Sequence, residues 1–261
     1  MPELPEVNTF KKYFDGTSLN QKILEVSVAD DKIIRNMGGP EFADRLANRT
    51  FLSSYRRGKY LFAHLDDGNH VLFHFGMTGD FKYYSAEEDR PKHERFHFLF
   101  EGGSKLGFDC PRKFARIVHF ENLNDYIQSI GLGPDALEIK EAEFLQKMEG
   151  RTSTIKGFLL NQKLVAGVGN LYADEICYQT RVHPGSRVNA LSKKKRKVIY
   201  RTMRSVLSVA VERTAHYKDY PDDWFWNWRV KDGESNKGEI KVEKIAGRTT
   251  YWVKGWQRLY G

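Results

Sequence analysis

Apolar residues at the start of the chain recur at helical spacing. Val7, Phe10 and Phe14 lie three and four residues apart, Pro5 falls where an early helical turn tolerates it, and Gly16 can end the segment. This pattern predicts a short amphipathic helix. The period then shortens to two. Leu24, Val26 and Val28, then Val71, Phe73 and Phe75, then Phe96, Phe98 and Phe100 alternate with other residues, as strands with one buried face do. "DDGN" at 66–69 and "EGGS" at 101–104 supply turns between such runs. The first half is expected to be a β-sandwich or barrel with a leading helix.

Beyond about residue 122 the texture changes, and "IGLGPDAL" puts glycine and proline where a domain connection is expected, near Gly131 to Gly133. Ile199, Met203, Val206, Leu207 and Ala210 then form a core-facing helical stripe behind a Ser192 cap. Near the end, "EIKVEKI" and "TTYWV" flank "AGR", a β-hairpin with Arg248 close to its turn. The expected architecture is α+β, with a β domain over 1–131, a helical domain over 132–229 and a terminal hairpin over 230–261. No internal repeat or low-complexity segment interrupts it.

Charge narrows the partner. Lys and Arg number 42 against 34 Asp and Glu, a formal charge of +8 with a pI near 9.3, which favours a polyanion such as nucleic acid, although a plain basic protein has the same totals. The run "KKKRK" at 193–197 opens a helix, where cations oppose the dipole, and reads as a solvated face. Only Cys110 and Cys177 occur, too few for a disulfide framework or a four-cysteine zinc site, so a reducing, cytoplasmic setting is expected. Neither a basic-then-apolar leader nor an apolar run of about 18 residues is present, so neither export nor membrane insertion is expected.

The opening "MPELPEV" carries candidate chemistry. A small second residue permits removal of the initiator methionine, which would leave Pro2 with a free secondary amine. An α-amino group titrates near ~7.7 to 8.0 and lysine near ~10.4, so at pH 7 about ten per cent of the former is neutral against roughly 0.04 per cent of the latter. Such an amine can attack a carbonyl or sugar carbon and form an iminium, and Glu3 beside it can move protons. Alone, Pro2 reads as an ordinary helix starter.

Four further motifs change that reading: "RRGKYL" at 56–61, "HFGMTG" at 74–79, "PRKF" at 111–114 and "NQKLVAGVGNLYADE" at 161–175. Together with "MPELPEV", over essentially the whole chain, they resemble the formamidopyrimidine-DNA glycosylase and endonuclease VIII family. The resemblance implies an N-terminal β-sandwich and a C-terminal helix-two-turns-helix domain with a β-hairpin finger, DNA lying in the cleft between. It implies a monomeric enzyme of base excision repair that excises oxidised bases from damaged double-stranded DNA and then cleaves the abasic site, with no cofactor. It gives Pro2 the attack on C1′ and the Schiff base, Glu3 the proton transfer, Lys59 the support of β-elimination, and Arg248 the δ-elimination step with phosphate binding. Asn170 matches a phosphate-binding turn residue, and His93, Arg151 and Lys156 match further phosphate contacts. Met77, Arg112 and Phe114 match a trio that fills the void left by an everted nucleotide, Arg112 also holding the orphaned base.

The sequence also departs from the family pattern. Positions that carry zinc-binding cysteines in many members are Val253 and Trp256 here, and the upstream pair is missing in "KDGESNKGE". A zincless finger without metal is therefore expected, packed through Trp252 and Trp256. The segment "RTAHYKDYPDDWFWNWRV" is short and rich in tryptophan, which leaves purine against pyrimidine lesions open; Trp224, Trp226 and Trp228 fit either base stacking or packing in a strand. Cys110 replaces a common aspartate and Arg95 a common histidine. Two readings compete with the enzyme: a noncatalytic binder of abasic or distorted DNA on the same scaffold, and, more distantly, an RNA-binding protein.

Overall fold

Pro5 stands in the first turn of helix α1 (Leu4–Ser18), where its missing N–H leaves no bond unmade. The helix passes through Gly16. It ends where Leu19 pairs with Phe51 and Asn20, at φ +60°, turns the chain and donates its N–H to Phe51 O at 2.8 Å. Asn20 makes the turn expected at Gly16, because asparagine tolerates the left-handed region almost as glycine does. The computed structural model describes residues 1–230 and 233–261, and the chain divides into two units, Met1–Gly131 and Leu132–Gly261.

In the first unit α1 is followed by β1 (Ile23–Val28), α2 (Gly39–Leu46), β2 (Phe51–Arg57), β3 (Tyr60–Leu65), β4 (His70–His74), β5 (Asp80–Tyr84), β6 (Glu94–Phe100), β7 (Lys105–Asp109), β8 (Arg116–Phe120) and α3 (Leu123–Ser129). The strands form two antiparallel sheets of four, in the orders β1-β6-β7-β5 and β2-β3-β4-β8. Phe73, Phe75, Phe96, Phe98, Phe100 and Phe108 fill the core, as the two-residue period requires. Leu24 does not join them. The β1–β6 register slips between Ile23 and Glu25, so Ile23 and Val26 turn inward while Leu24 faces solvent.

Phe14 of α1 enters this core, its ring centroid 5.1 Å from Phe51, 5.7 Å from Phe81 and 5.8 Å from Phe73. Phe14→Ala is expected to cost about 3–5 kcal/mol of unfolding free energy, read as a lower urea midpoint at unchanged slope.

The second unit holds α4 (Glu141–Met148), α5 (Ile155–Leu160), α6 (Asn170–Gln179) and α7 (Lys193–Glu212), then β9 (Glu234–Ser235), β10 (Gly238–Ile245) and β11 (Arg248–Val253). Ser192 Oγ accepts the Lys195 N–H at 3.2 Å at the head of α7, and Ile199, Met203, Val206, Leu207 and Ala210 are buried. Strands β10 and β11 meet through Ala246 and Gly247, both at positive φ, as a tight two-residue hairpin needs.

The tryptophan-rich segment is not a strand. Phe225–Trp228 forms a 3-10 turn: Phe225 stacks on Tyr178, Trp224 packs on Tyr220, and Trp226 on Tyr217. Trp228, Tyr251 and Trp256 pack against a buried cluster of Tyr178, Phe225, Ile240 and Val253. Trp256 also donates its indole N–H to Tyr178 O at 3.1 Å and carries the Arg181 guanidinium 3.9 Å above its ring. Val253 and Trp256, the finger positions expected to replace cysteine, thus carry apolar packing. Of the stretch "KDGESNKGE", Lys231 and Asp232 lie outside the described residues.

Candidate functional site

Ring contacts orient α1 within the first unit. Phe10 packs on Phe75 at 4.4 Å and Phe14 on Phe73 at 5.8 Å, so the helix runs antiparallel to β4 and its N-terminus points past the Phe75 end. Glu3 lies about 10 Å further along, at 1.5 Å per residue. Pairing of Leu61 with Phe73 and of His74 with Arg116 brings the β2–β3 turn and the segment before Arg116 to that same end. In the other sheet Asp80 and Glu94 both pair with Asp109 there. Pro2, Glu3, Lys59, Met77, His93, Arg112 and Phe114 therefore gather at one end of the unit.

Glu3 is the N-cap of α1, almost fully buried, and its N–H donates to the Glu6 carboxylate at 2.8 Å. Pro2 is half-buried and Met1 exposed. Lys59 follows Gly58 in a two-residue turn, with Gly58 at φ +59° and its carbonyl accepting from Arg56 Nη1 at 3.1 Å. The ammonium has a neighbour that sequence reading did not single out. Burial, then the charges of Arg116 and Lys59, push the His74 imidazole down to about 4, and its Nδ1 accepts the Gly76 N–H at 3.4 Å. His74 is thus neutral at pH 7, its proton on Nε2; its place two residues before the glycine of "HFGMTG" was the available signal.

The "HFGMTG" and "PRKF" segments touch. Gly76, at φ +60°, lies so close that a Cβ there would meet the Phe114 carbonyl at 2.4 Å, and Arg112 N–H donates to Thr78 Oγ1 at 3.3 Å. Met77 and Phe114 are exposed, and the Arg112 guanidinium lies 5.1 Å from the Phe114 ring centre. Every other phenylalanine among the described residues is buried or half-buried, so Phe114 projects against the trend. His93 is half-buried, its N–H bound to Asp109 Oδ1 at 2.8 Å and its carbonyl to Cys110 N–H at 3.0 Å. The Cys110 thiol is buried.

In the second unit Asn170 is the first residue of α6, and its Nδ2 donates to Thr249 O at 3.0 Å, which sets it beside Arg248 at the start of β11. Its Oδ1 has no partner. The preceding loop is shaped by Gln162, which sequence reading missed: Nε2 donates to Leu160 O and Val168 O, and Oε1 accepts the Gly167 N–H, each at 2.9 Å. Arg151 follows α4, half-buried, its Nε bound to Lys147 O.

Lys156 contradicts the expectation of a phosphate contact. It has no exposed surface, and its Nζ binds Asp174 Oδ1 at 2.6 Å and Thr250 Oγ1 at 2.8 Å. Arg229 binds the other Asp174 oxygen at 2.9 Å, and Tyr251 N–H reaches it at 3.3 Å. Burial pushes the Asp174 carboxyl up and the Lys156 ammonium down; the Arg229 charge opposes the first shift and adds to the second. Lys156 therefore ties α5 and α6 to β11. Among the described residues, no group of His, Cys, Asp and Glu could hold a metal ion, and no helix is long and apolar enough to cross a membrane.

Glu175 is a second buried carboxyl. It accepts the N–H groups of Phe225 and Trp226 at 3.2 and 3.1 Å and Gln179 Nε2 at 2.8 Å, yet burial dominates and pushes it up from 4.5 to about 7. A carboxyl raised by folding stabilises most below its unfolded value, and that stability is lost as pH climbs through the folded one. Between pH 4.5 and 7 the loss is on the order of 3 kcal/mol. The neutral His74 brings an opposite rise over much of the same window in both proteins, so the urea midpoint of Glu175→Gln should climb relative to that of the wild type as pH goes from 4.5 to 7.

A model of the formamidopyrimidine-DNA glycosylase N-terminal domain matches residues 1–117, and one of the formamidopyrimidine-DNA glycosylase H2TH domain matches 130–219. The formamidopyrimidine-DNA glycosylase of Arabidopsis thaliana is 33% identical over 280 residues, covering 100% of this chain and 72% of its own. That of Mycoplasma mobile is 30% identical, covering 99% and 100%. Among solved structures, the Lactococcus lactis enzyme bound non-covalently to AP-site DNA has a TM-score of 0.88 at 25% identity, over 98% of this chain and 99% of that one. A MutM complex with DNA containing carbocyclic 8-oxo-G gives 0.88 at 25%, over 98% and 100%. With both domain models matched in order and 99% or more of this chain aligned to each of these two curated relatives, the chain belongs to the formamidopyrimidine-DNA glycosylase and endonuclease VIII family.

Proposed function

We propose that this protein is a bifunctional DNA glycosylase and abasic-site lyase of base excision repair, acting as a monomer on oxidised bases in duplex DNA. The observation that carries this reading is the assembly at one end of the first unit. A helix N-terminus with Pro2 and Glu3, a turn with Lys59 and an exposed trio of Met77, Arg112 and Phe114 meet there. An amine, a buried carboxyl and a wedge are the parts that attack on an everted nucleotide requires.

With Met1 removed, the neutral Pro2 nitrogen attacks C1′ and the bond from C1′ to the base breaks, the base leaving with a proton. Opening of the sugar ring, with its O4′ protonated through Glu3, gives the iminium between Pro2 and C1′. Loss of a C2′ proton then expels the 3′ phosphate, with Lys59 as the nearby cation, and a second elimination expels the 5′ phosphate with Arg248. Asn170, beside Arg248, binds a phosphate of the same strand, its partnerless Oδ1 and its place at the head of α6 marking it for a ligand. His93 and Arg151 add backbone contacts, and Met77, Phe114 and Arg112 fill the void.

Duplexes carrying 8-oxoguanine, a formamidopyrimidine, thymine glycol or a hydantoin test this. The expected result is release of at least one of these bases together with strand cleavage bearing elimination ends. Tight binding to an abasic-site duplex without cleavage of any duplex would make the protein a damage binder instead.

A further inference from the structure

Asp30 and Arg95 take no part in the chemistry above, yet both hold the loop that carries Arg112 and Phe114. The Arg95 guanidinium spans three acceptors. Nε donates to Cys110 O at 2.9 Å, Nη2 to Pro111 O at 3.3 Å, and Nη1 lies 3.4 Å from Asp30 Oδ2. Lys113 Nζ reaches the same Asp30 oxygen at 2.5 Å. Asp30 is itself fixed, with Oδ1 accepting the Lys32 N–H at 3.1 Å and its own N–H donating to Arg95 O at 3.0 Å.

One carboxylate thus joins two cations, one on β6 and one inside the loop. The Lys113 hydrogen bond leads the influences that hold the Asp30 carboxyl below its usual range, so the bridge is ionised at neutral pH. The loop needs such support. Lys113 sits at φ +55°, a left-handed conformation that a lysine keeps only when its surroundings enforce it. Every residue from 110 to 114 has a tether: the carbonyls of Cys110 and Pro111 on Arg95, Arg112 N–H on Thr78, Lys113 on Asp30, and the Phe114 backbone against Gly76.

We propose that Asp30 and Arg95 are positioning residues that hold the 110–114 loop as a preformed wedge, so that Arg112 and Phe114 enter the stack without first being ordered. The inference rests on the glycosylase reading. A rigid wedge matters only where a nucleotide leaves a paired stack and a void opens; in a single strand there is no void.

Single-turnover excision of one lesion, placed in a duplex and in the same strand alone, separates the cases for Asp30→Asn, Arg95→Gln and Arg95→Lys. The duplex rate should fall tenfold or more in the first two, with the single-strand rate within twofold of wild type. Arg95→Lys should also lose duplex activity, because one ammonium cannot serve two carbonyls and a carboxylate at fixed geometry. Equal losses on both substrates, or no loss on the duplex, would overturn the clamp and leave the glycosylase reading intact. Wild-type protein that excises from neither substrate would overturn that reading, and the clamp with it.

Discussion

Pro2→Gln is expected to lower covalent trapping on an abasic-site duplex by about 10³-fold or more while DNA binding persists. A bulky second residue retains Met1, so the terminal amine moves out by one residue, up to about 3.5 Å of chain. Reacting atoms held about 1 Å out of place already cost on the order of 10²-fold, so a shift of this size removes the geometry as well as the secondary amine. Binding should survive, because Arg112, Phe114, Asn170 and Arg248 are untouched and Pro2 precedes α1 rather than packing in the core. Trapping rates with cyanoborohydride, alongside fluorescence anisotropy on the same duplex, measure both quantities. Undiminished trapping would place the nucleophile elsewhere.

Glu3→Gln should separate the two activities. Base release needs a proton moved at the sugar, and loss of a positioned acid or base costs about 10²–10⁴-fold. A preformed abasic site presents an aldehyde that the amine attacks directly, so cleavage there should stay within about tenfold of wild type. The amide keeps the length of the side chain, and Glu6 still accepts the residue 3 N–H, so the helix start should lose no more than about 1 kcal/mol. Parallel single-turnover assays on a lesion duplex and an abasic duplex give the ratio; equal falls on both would mean that Glu3 acts only through the fold.

Much of the fold was legible because short-range periods report one-sided burial. The run Phe96, Phe98, Phe100 lies beyond the slip at Arg95 and keeps its inward face, and the stripe on α7 faces inward behind Ser192. The period misled where an extra residue entered β1 at Leu24, since an inserted residue reverses every side chain before it and only pairing with β6 reveals it. It misled again at "WFWNW", where alternate tryptophans sit on a 3-10 turn pinned by Glu175 from a helix some fifty residues earlier. The site was legible only through the joint motifs. A lone proline, lysine or arginine has a plain surface reading, and nothing local distinguishes Lys59, held in a turn, from Lys156, buried against Asp174 and Thr250. Those partners lie 18 and 94 residues away, and no pattern around Lys156 encodes them. The same distance hides Arg95 and Asp30, 65 residues apart, behind the loop they both grip.

Mass mapping of the cyanoborohydride adduct on an abasic-site duplex identifies the attacking nitrogen itself. Mature protein should begin at Pro2 and carry a single sugar adduct, on the peptide containing that residue. An adduct on Lys59 or another lysine, or no adduct despite a free Pro2 and tight binding, would contradict the assignment.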